Sequence, residues 1–165
     1  MEVYFNVNGT RLDLGAAIDS GKLKIAGFSE VSLLKRLRLR IPGGFKVWQA
    51  EDPRVHCFGE KIEIYPCRDS YLDPDRRWRT RCSITINQDR LVALEAEIID
   101  GVYAAGNMFE RFQEVSSECW GRPTIQERRQ IEWRQGPVVI TGTLDHQARH
   151  AVFSWTVQES RAEEA

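Results

Sequence analysis

At 165 residues, with 42% hydrophobic and 28% charged side chains, the chain has the make-up of one folded domain and not of a disordered segment. Its 23 Lys and Arg against 24 Asp and Glu, net −1, exclude any global attraction for nucleic acid or an anionic membrane. The balance is slightly uneven, with 15 basic and 11 acidic residues in Met1–Arg81 and 8 and 13 in Cys82–Ala165.

The first residues, Met1-Glu2-Val3-Tyr4-Phe5-Asn6, carry an early acid and no basic or long apolar stretch, so they do not read as a secretory signal. Nowhere do eighteen apolar residues run together, so no membrane partner is expected and the cytoplasm is the expected setting. Asn8-Gly9 is a favoured two-residue hairpin turn that sets Val7 opposite Thr10, Phe5 opposite Leu12 and Val3 opposite Leu14. Pro42-Gly43-Gly44 predicts a second hairpin, with Ile41 opposite Phe45 and Leu39 opposite Val47, and with Arg36, Arg38, Arg40 and Lys46 on the other face. Val31, Leu34 and Leu37 are also spaced as a helix that Ser29 can cap. A short helix from Glu30 to Lys35, followed by a strand from about Arg36, reconciles the two patterns.

Cys57, Cys67, Cys82 and Cys119 include no Cys-x-x-Cys and lie near no pair of histidines in ligand spacing, so free thiols and no metal or cofactor are expected. His56-Cys57 is the one adjacent pair that suggests a nucleophile and its base, but neighbours on a strand point to opposite faces. The stretch from Asp69 to Arg81 is the most unusual of the chain. It sets Arg76, Arg77, Arg79 and Arg81 beside Tyr71 and Trp78 in a connection long enough to invite a functional reading. Arginine forks among aromatic rings grip phosphate, carboxylate or single-stranded nucleic acid. A solvated loop whose arginines pair with Asp69, Asp73 and Asp75 gives the same pattern. Lys35, Arg36, Arg38 and Arg40 along one sheet face would form a continuous basic patch with Arg77, Arg79 and Arg81, although a half-buried antiparallel sheet is polar on its outer side without any ligand.

A third hairpin pairs Cys82–Ile86 with Arg90–Ile99 through a turn around Asn87-Gln88-Asp89, with Val92, Leu94, Ala96 and Ile98 inward. Glu95 and Glu97 then share the opposite face, where they either converge or are simply solvated. From Gly101 to Trp120 the apolar residues Val102, Ala105, Met108, Phe109, Phe112, Val115 and Cys119 recur at three- and four-residue steps, the pattern of an amphipathic helix stopped by Gly121 and Pro123. Gly106 within it marks a place where a strand can come close. Strands follow at Gln130–Arg134, Val138–Leu144 and Ala151–Val157, the last two joined by a loop in which His146 and His150 read as solvent-facing.

The predicted fold is α+β: a curled, mainly antiparallel sheet of hairpins packed on one main amphipathic helix, as a single domain over residues 1–158 with a frayed tail over 159–165. Phosphate-loop, dinucleotide, nucleophile-elbow and zinc-protease motifs are all absent from the sequence. From Phe109 to Trp155, a helix ending in Cys119-Trp120-Gly121-Arg122-Pro123, then Glu132-Trp133, Val138-Val139-Ile140 and Phe153-Ser154-Trp155, resembles a layout of small bacterial α+β proteins. Among these are immunity-type proteins that neutralise a toxin by binding it. The missing catalytic motifs, the mixed-charge loop and the basic sheet face lead to the expectation of a non-enzymatic protein that binds another macromolecule, above all a protein, with an immunity or accessory role as the specific form the resemblance implies. Two alternatives stand beside it: an enzyme or ligand binder with a pocket between sheet and helix, lined by Trp133 and Trp155, and nucleic-acid binding through Arg76, Arg77, Trp78, Arg79 and Arg81.

Overall fold

Asn8 and Gly9 both take positive φ, 50° and 86°, the geometry a two-residue turn needs to follow the twist of its strands. The turn joins β1 (Tyr4–Val7) to β2 (Thr10–Asp13) in the expected register, and the Leu14 amide extends it by donating to the Val3 carbonyl at 3.0 Å. This computed structural model describes residues 3–51, 79–99, 101 and 104–158, and the backbone of 55–57 and 62–64. The expected tail at 159–165 lies outside the described residues.

Chain order continues through α1 (Ser20–Ile25), β3 (Ser29–Glu30), α2 (Leu33–Arg38), β4 (Phe45–Glu51), β5 (Val55–Cys57), β6 (Ile62–Ile64), β7 (Arg79–Asn87) and β8 (Arg90–Ile99). It closes with α3 (Ala104–Trp120), β9 (Ile125–Gln126), β10 (Gln130–Gln135), β11 (Val138–Leu144) and β12 (Ala151–Val157). Eight strands form one sheet in the order β3-β4-β7-β8-β12-β11-β10-β9, antiparallel throughout, and β2-β1-β5-β6 form a second. The fold is thus α+β, with α3 packed on a sheet that does not close into a barrel.

The alternation in β7 and β8 places Cys82, Ile84, Leu94, Ala96 and Ile98 on the face toward α3. Between Thr85 and Ile86 the register shifts, leaving Val92 as the extra residue of a bulge, so Leu91 and not Val92 is buried. Phe112 of α3 is fully buried among Trp133, Phe153 and Trp155, at ring-centroid distances of 5.7, 4.6 and 5.8 Å. Phe5 of the first hairpin meets Trp155 at 5.1 Å, which brings the smaller sheet to the same side as α3. Trp133 and Trp155, expected to line a pocket between helix and sheet, are both fully buried in this aromatic cluster.

The helix end is tied down because its last carbonyls find donors: Trp133 Nε1 reaches the Gly121 carbonyl at 3.0 Å and Gln135 Nε2 that of Trp120 at 3.3 Å. Of these two glycines it is Gly142, and not Gly106, that lies at a close approach of helix and sheet. A Cβ on Gly142 would sit 2.9 Å from Phe112 Cε1 and 3.2 Å from Ile131 Cγ2, whereas one on Gly106 would meet nothing within 4 Å.

The second predicted hairpin is not formed. Residues 33–38 are helical, Pro42-Gly43-Gly44 leads from that helix into β4, and Phe45 pairs with Asn87 and Val47 with Thr85. The helical pattern prevails because Ser32, not Ser29, caps it, and because β4 satisfies its backbone against β7.

Candidate functional site

Ser32 Oγ accepts the Lys35 amide at 3.3 Å and starts α2. The helix ends when Arg40 enters the left-handed region at φ 55°, with the Ile41 amide donating to the Arg36 carbonyl at 3.1 Å and the Arg40 amide to that of Leu37 at 3.2 Å. These paired bonds are the Schellman form of helix stop. Buried Val31, whose amide donates to the Val47 carbonyl at 2.8 Å, anchors the entry to the sheet edge.

Between these fixed ends α2 faces the unexpected way. At 3.6 residues per turn, Leu33, Leu34 and Leu37 fall within an arc of about 100°. That arc faces outward: the three are 64%, 62% and 65% exposed, and Leu39 beyond them is 52% exposed. The sheet side of α2 is polar. Arg36 Nη1 donates to the Phe45 carbonyl at 3.1 Å and Lys35 Nζ to Gln49 Oε1 at 3.0 Å, while the buried Arg36 Nε has no partner among the described residues. Rolling the helix over would bury the leucines and hydrate the guanidinium, which hydrophobic burial alone would favour.

Arg36, Arg38 and Arg40 thus belong to a helix and its closing turn, not to a strand face. Arg38 and Arg40 are exposed beside the leucines, whereas Arg36 turns inward. Arg81 lies at the far end of β4, with its Nε 2.9 Å from Glu51 Oε1, and Arg79 is exposed at the start of β7. The seven residues of β4, roughly 20 Å at strand rise, lie between the Arg36 end and the Arg81 end. Arg76, Arg77 and Trp78 lie outside the described residues. So do the side chains of His56 and Cys57, whose backbone lies in β5 beside Asn6 and Phe5.

The sheet face away from α3 carries a polar row in register: Gln49, Ser83, Glu95, Ser154, Thr141 and Glu132. Glu95 and Glu97 do converge there. Burial, then the Glu97 charge and a hydrogen bond between the two side chains, push the Glu95 carboxyl above its ordinary range, with His150 opposing. His150 is not simply solvated: its Nε2 lies 3.0 Å from Glu97 Oε2, which is mostly buried. On the opposite face, burial, with Glu95 and Glu97 adding to it, raises the Cys82 thiol far above its usual range, which disfavours its thiolate. Among the described residues no three metal-ligating side chains gather into a site, and no helix is long and apolar enough to cross a membrane.

The exposed leucines were missed in the sequence because Leu37, Leu39 and Ile41 also alternate with arginines at strand period. The signal that distinguishes the two patterns is Ser32, a cap residue directly before the apolar run that starts at Leu33. Fold and site together define an α+β protein with an eight-stranded antiparallel sheet and a leucine-faced helix at one edge. No protein-family model, curated protein or solved structure matches the chain.

Proposed function

We propose that the protein works by binding another protein, with α2 and its closing turn as the docking surface. The inversion of α2 carries this reading: Leu33, Leu34 and Leu37 turn outward while Arg36 is held against β4. Single exposed apolar residues are ordinary, but four leucines within seven residues, rimmed by Arg38 and Arg40, have the composition of a contact surface. An immunity-type or accessory role, in which the protein acts by occupying its partner, is the specific form suggested by the C-terminal layout. The cytoplasm is proposed as its setting, supported by the free thiols of Cys82 and Cys119.

A photo-crosslinking amino acid placed at Leu34, and in a separate variant at the exposed Arg134 of β10, tests this in cells that make the protein. A discrete protein adduct from position 34 and none from 134 is the expected result. No adduct from 34, or the same adducts from both positions, would remove the proposal.

A further inference from the structure

We infer that the segment seated on α2 is an acidic amphipathic helix, whose apolar residues lie over Leu33, Leu34 and Leu37 and whose carboxylates reach Arg38 and Arg40. This rests on the docking reading above and adds the chemistry of the partner. A short ridge of leucines on a helix packs into the groove between side chains of a second helix, which supplies anchors at i, i+3 or i+4, and i+7.

Charge selects an acidic segment. From Asp19 to Glu51, the stretch that builds this edge, there are seven Lys and Arg against three Asp and Glu, in a chain whose net charge is −1. Neither Leu33–Arg38 nor the turn to Gly44 contains a carboxylate. Arg40 occupies the left-handed position of the helix stop at φ 55°, where α1 uses Gly27 at φ 92°, and other side chains of the chain do the same, Gln88 at φ 51° and Ala148 at φ 54°. Its place in the turn sets its guanidinium beside Leu37 and Leu39 on the exposed side of α2.

The other occupants fit less well. A second copy of this chain would bring Arg38 and Arg40 against their own counterparts, and four leucines fall well short of the roughly 800 Å² per partner of a stable interface. An anionic lipid surface is matched by longer helices with a full cationic face, whereas here Lys35 and Arg36 are engaged by β4. The same small area makes the contact transient and dependent on its charged rim.

The test uses the full chain and a labelled synthetic peptide of about fifteen residues, with leucines at i, i+3 or i+4, and i+7 and glutamates beside them, read by fluorescence anisotropy. A matched peptide carries lysine in place of glutamate. The glutamate peptide is expected to bind in the micromolar range and to weaken roughly tenfold as ionic strength rises from about 0.05 to 0.5 M. The double variant Leu34→Ser with Leu37→Ser should lose at least about tenfold in affinity. Arg40→Gly should weaken binding several-fold while raising the melting temperature, a combination that a purely structural role for Arg40 does not give. Equal binding of the lysine peptide, still lost in the leucine variant, would overturn the acidic partner and leave the docking surface standing. Binding of neither peptide would overturn the inference, while crosslinking from position 34 separately decides the docking reading. Dimerisation abolished by Leu37→Ser would replace the acidic helix with a second copy. Binding only to phosphatidylserine vesicles would replace it with lipid.

Discussion

α1 and α2 flank the two-residue strand β3, and both are six residues long. Both begin under a side-chain cap, Asp19 on the Lys22 amide and Ser32 on the Lys35 amide. Both end in the same paired hydrogen bonds: Phe28 and Gly27 amides to Leu23 and Lys24 carbonyls in α1, Ile41 and Arg40 amides to Arg36 and Leu37 carbonyls in α2. They differ in what they bury. α1 inserts Leu23 fully into the core and leaves Ile25 alone outside, whereas α2 buries no residue and exposes its leucines. Caps and stops are therefore sufficient to define where a short helix runs, and they leave open which face it turns to the core. In α1 that face is explained by packing. In α2 no packing among the described residues explains it, and the proposed partner would.

The largest expected difference tests this directly. Leu23→Ala should cost about 2–5 kcal/mol of stability in urea denaturation, as for other fully buried leucines. Leu34→Ala should stay within about 0.5 kcal/mol, because its side chain is already hydrated. A comparable loss from both would mean that α2 belongs to the core after all and would remove the docking surface.

The helix stops give the next contrast, and here the two signs are opposite. Gly27→Ala adds a Cβ at positive φ and 3.3 Å from Asn8 Nδ2, the group that holds the Ala26 carbonyl, and should cost about 1–2 kcal/mol. Arg40→Gly relieves the same backbone constraint and should gain several tenths to about 1 kcal/mol, less the extra freedom glycine has when unfolded. A loss of stability in Arg40→Gly would show that the arginine serves the fold.

The caps separate global from local effects. Asp19→Ala should lower the denaturation midpoint by about 1 kcal/mol equivalent, since α1 must form for Leu23 to be buried. Ser32→Ala should loosen α2 with little change in that midpoint, seen as faster amide exchange at Lys35 and Arg36.

Sequence chemistry reaches furthest where contacts are local. The Asn8-Gly9 hairpin, the β7–β8 hairpin, the strands from Gln130 to Val157 and the helix ending at Trp120 all follow from turn residues and from period two or 3.6. It fails between Ser29 and Gly44, where the same leucines and arginines satisfy both periods and the outcome depends on β4 pairing with β7. His150 meeting Glu97 was hidden for a related reason, because β8 and β12 become neighbours only across the whole of α3. Gly142 was legible in part: between Ile140 and Leu144 its parity already points to the buried face. Of the residues singled out for binding, Arg38 and Arg40 sit at the proposed surface, but for a reason the strand pattern did not contain.

The polar face provides the smallest effect and a check that the α2 edge acts independently of it. Because the Glu95 carboxyl is raised when folded, the native protein keeps a proton that the unfolded chain has released. Its stabilising contribution is complete below the ordinary glutamate value of 4.5 and is lost as pH rises through the higher folded value. Glu95→Gln, a neutral side chain that can still donate to Glu97, should flatten this slope, leaving stability unchanged in acid and improved at neutral pH. Peptide binding at α2 should not respond to the same substitution, since Glu95 faces Ser83, Ser154 and Glu97 in the middle strands while α2 rests on β4 at the edge. If Glu95→Gln shifts the affinity for the glutamate peptide, the sheet transmits its protonation state to that edge, and the leucine face is set by the whole polar row and not by its own caps.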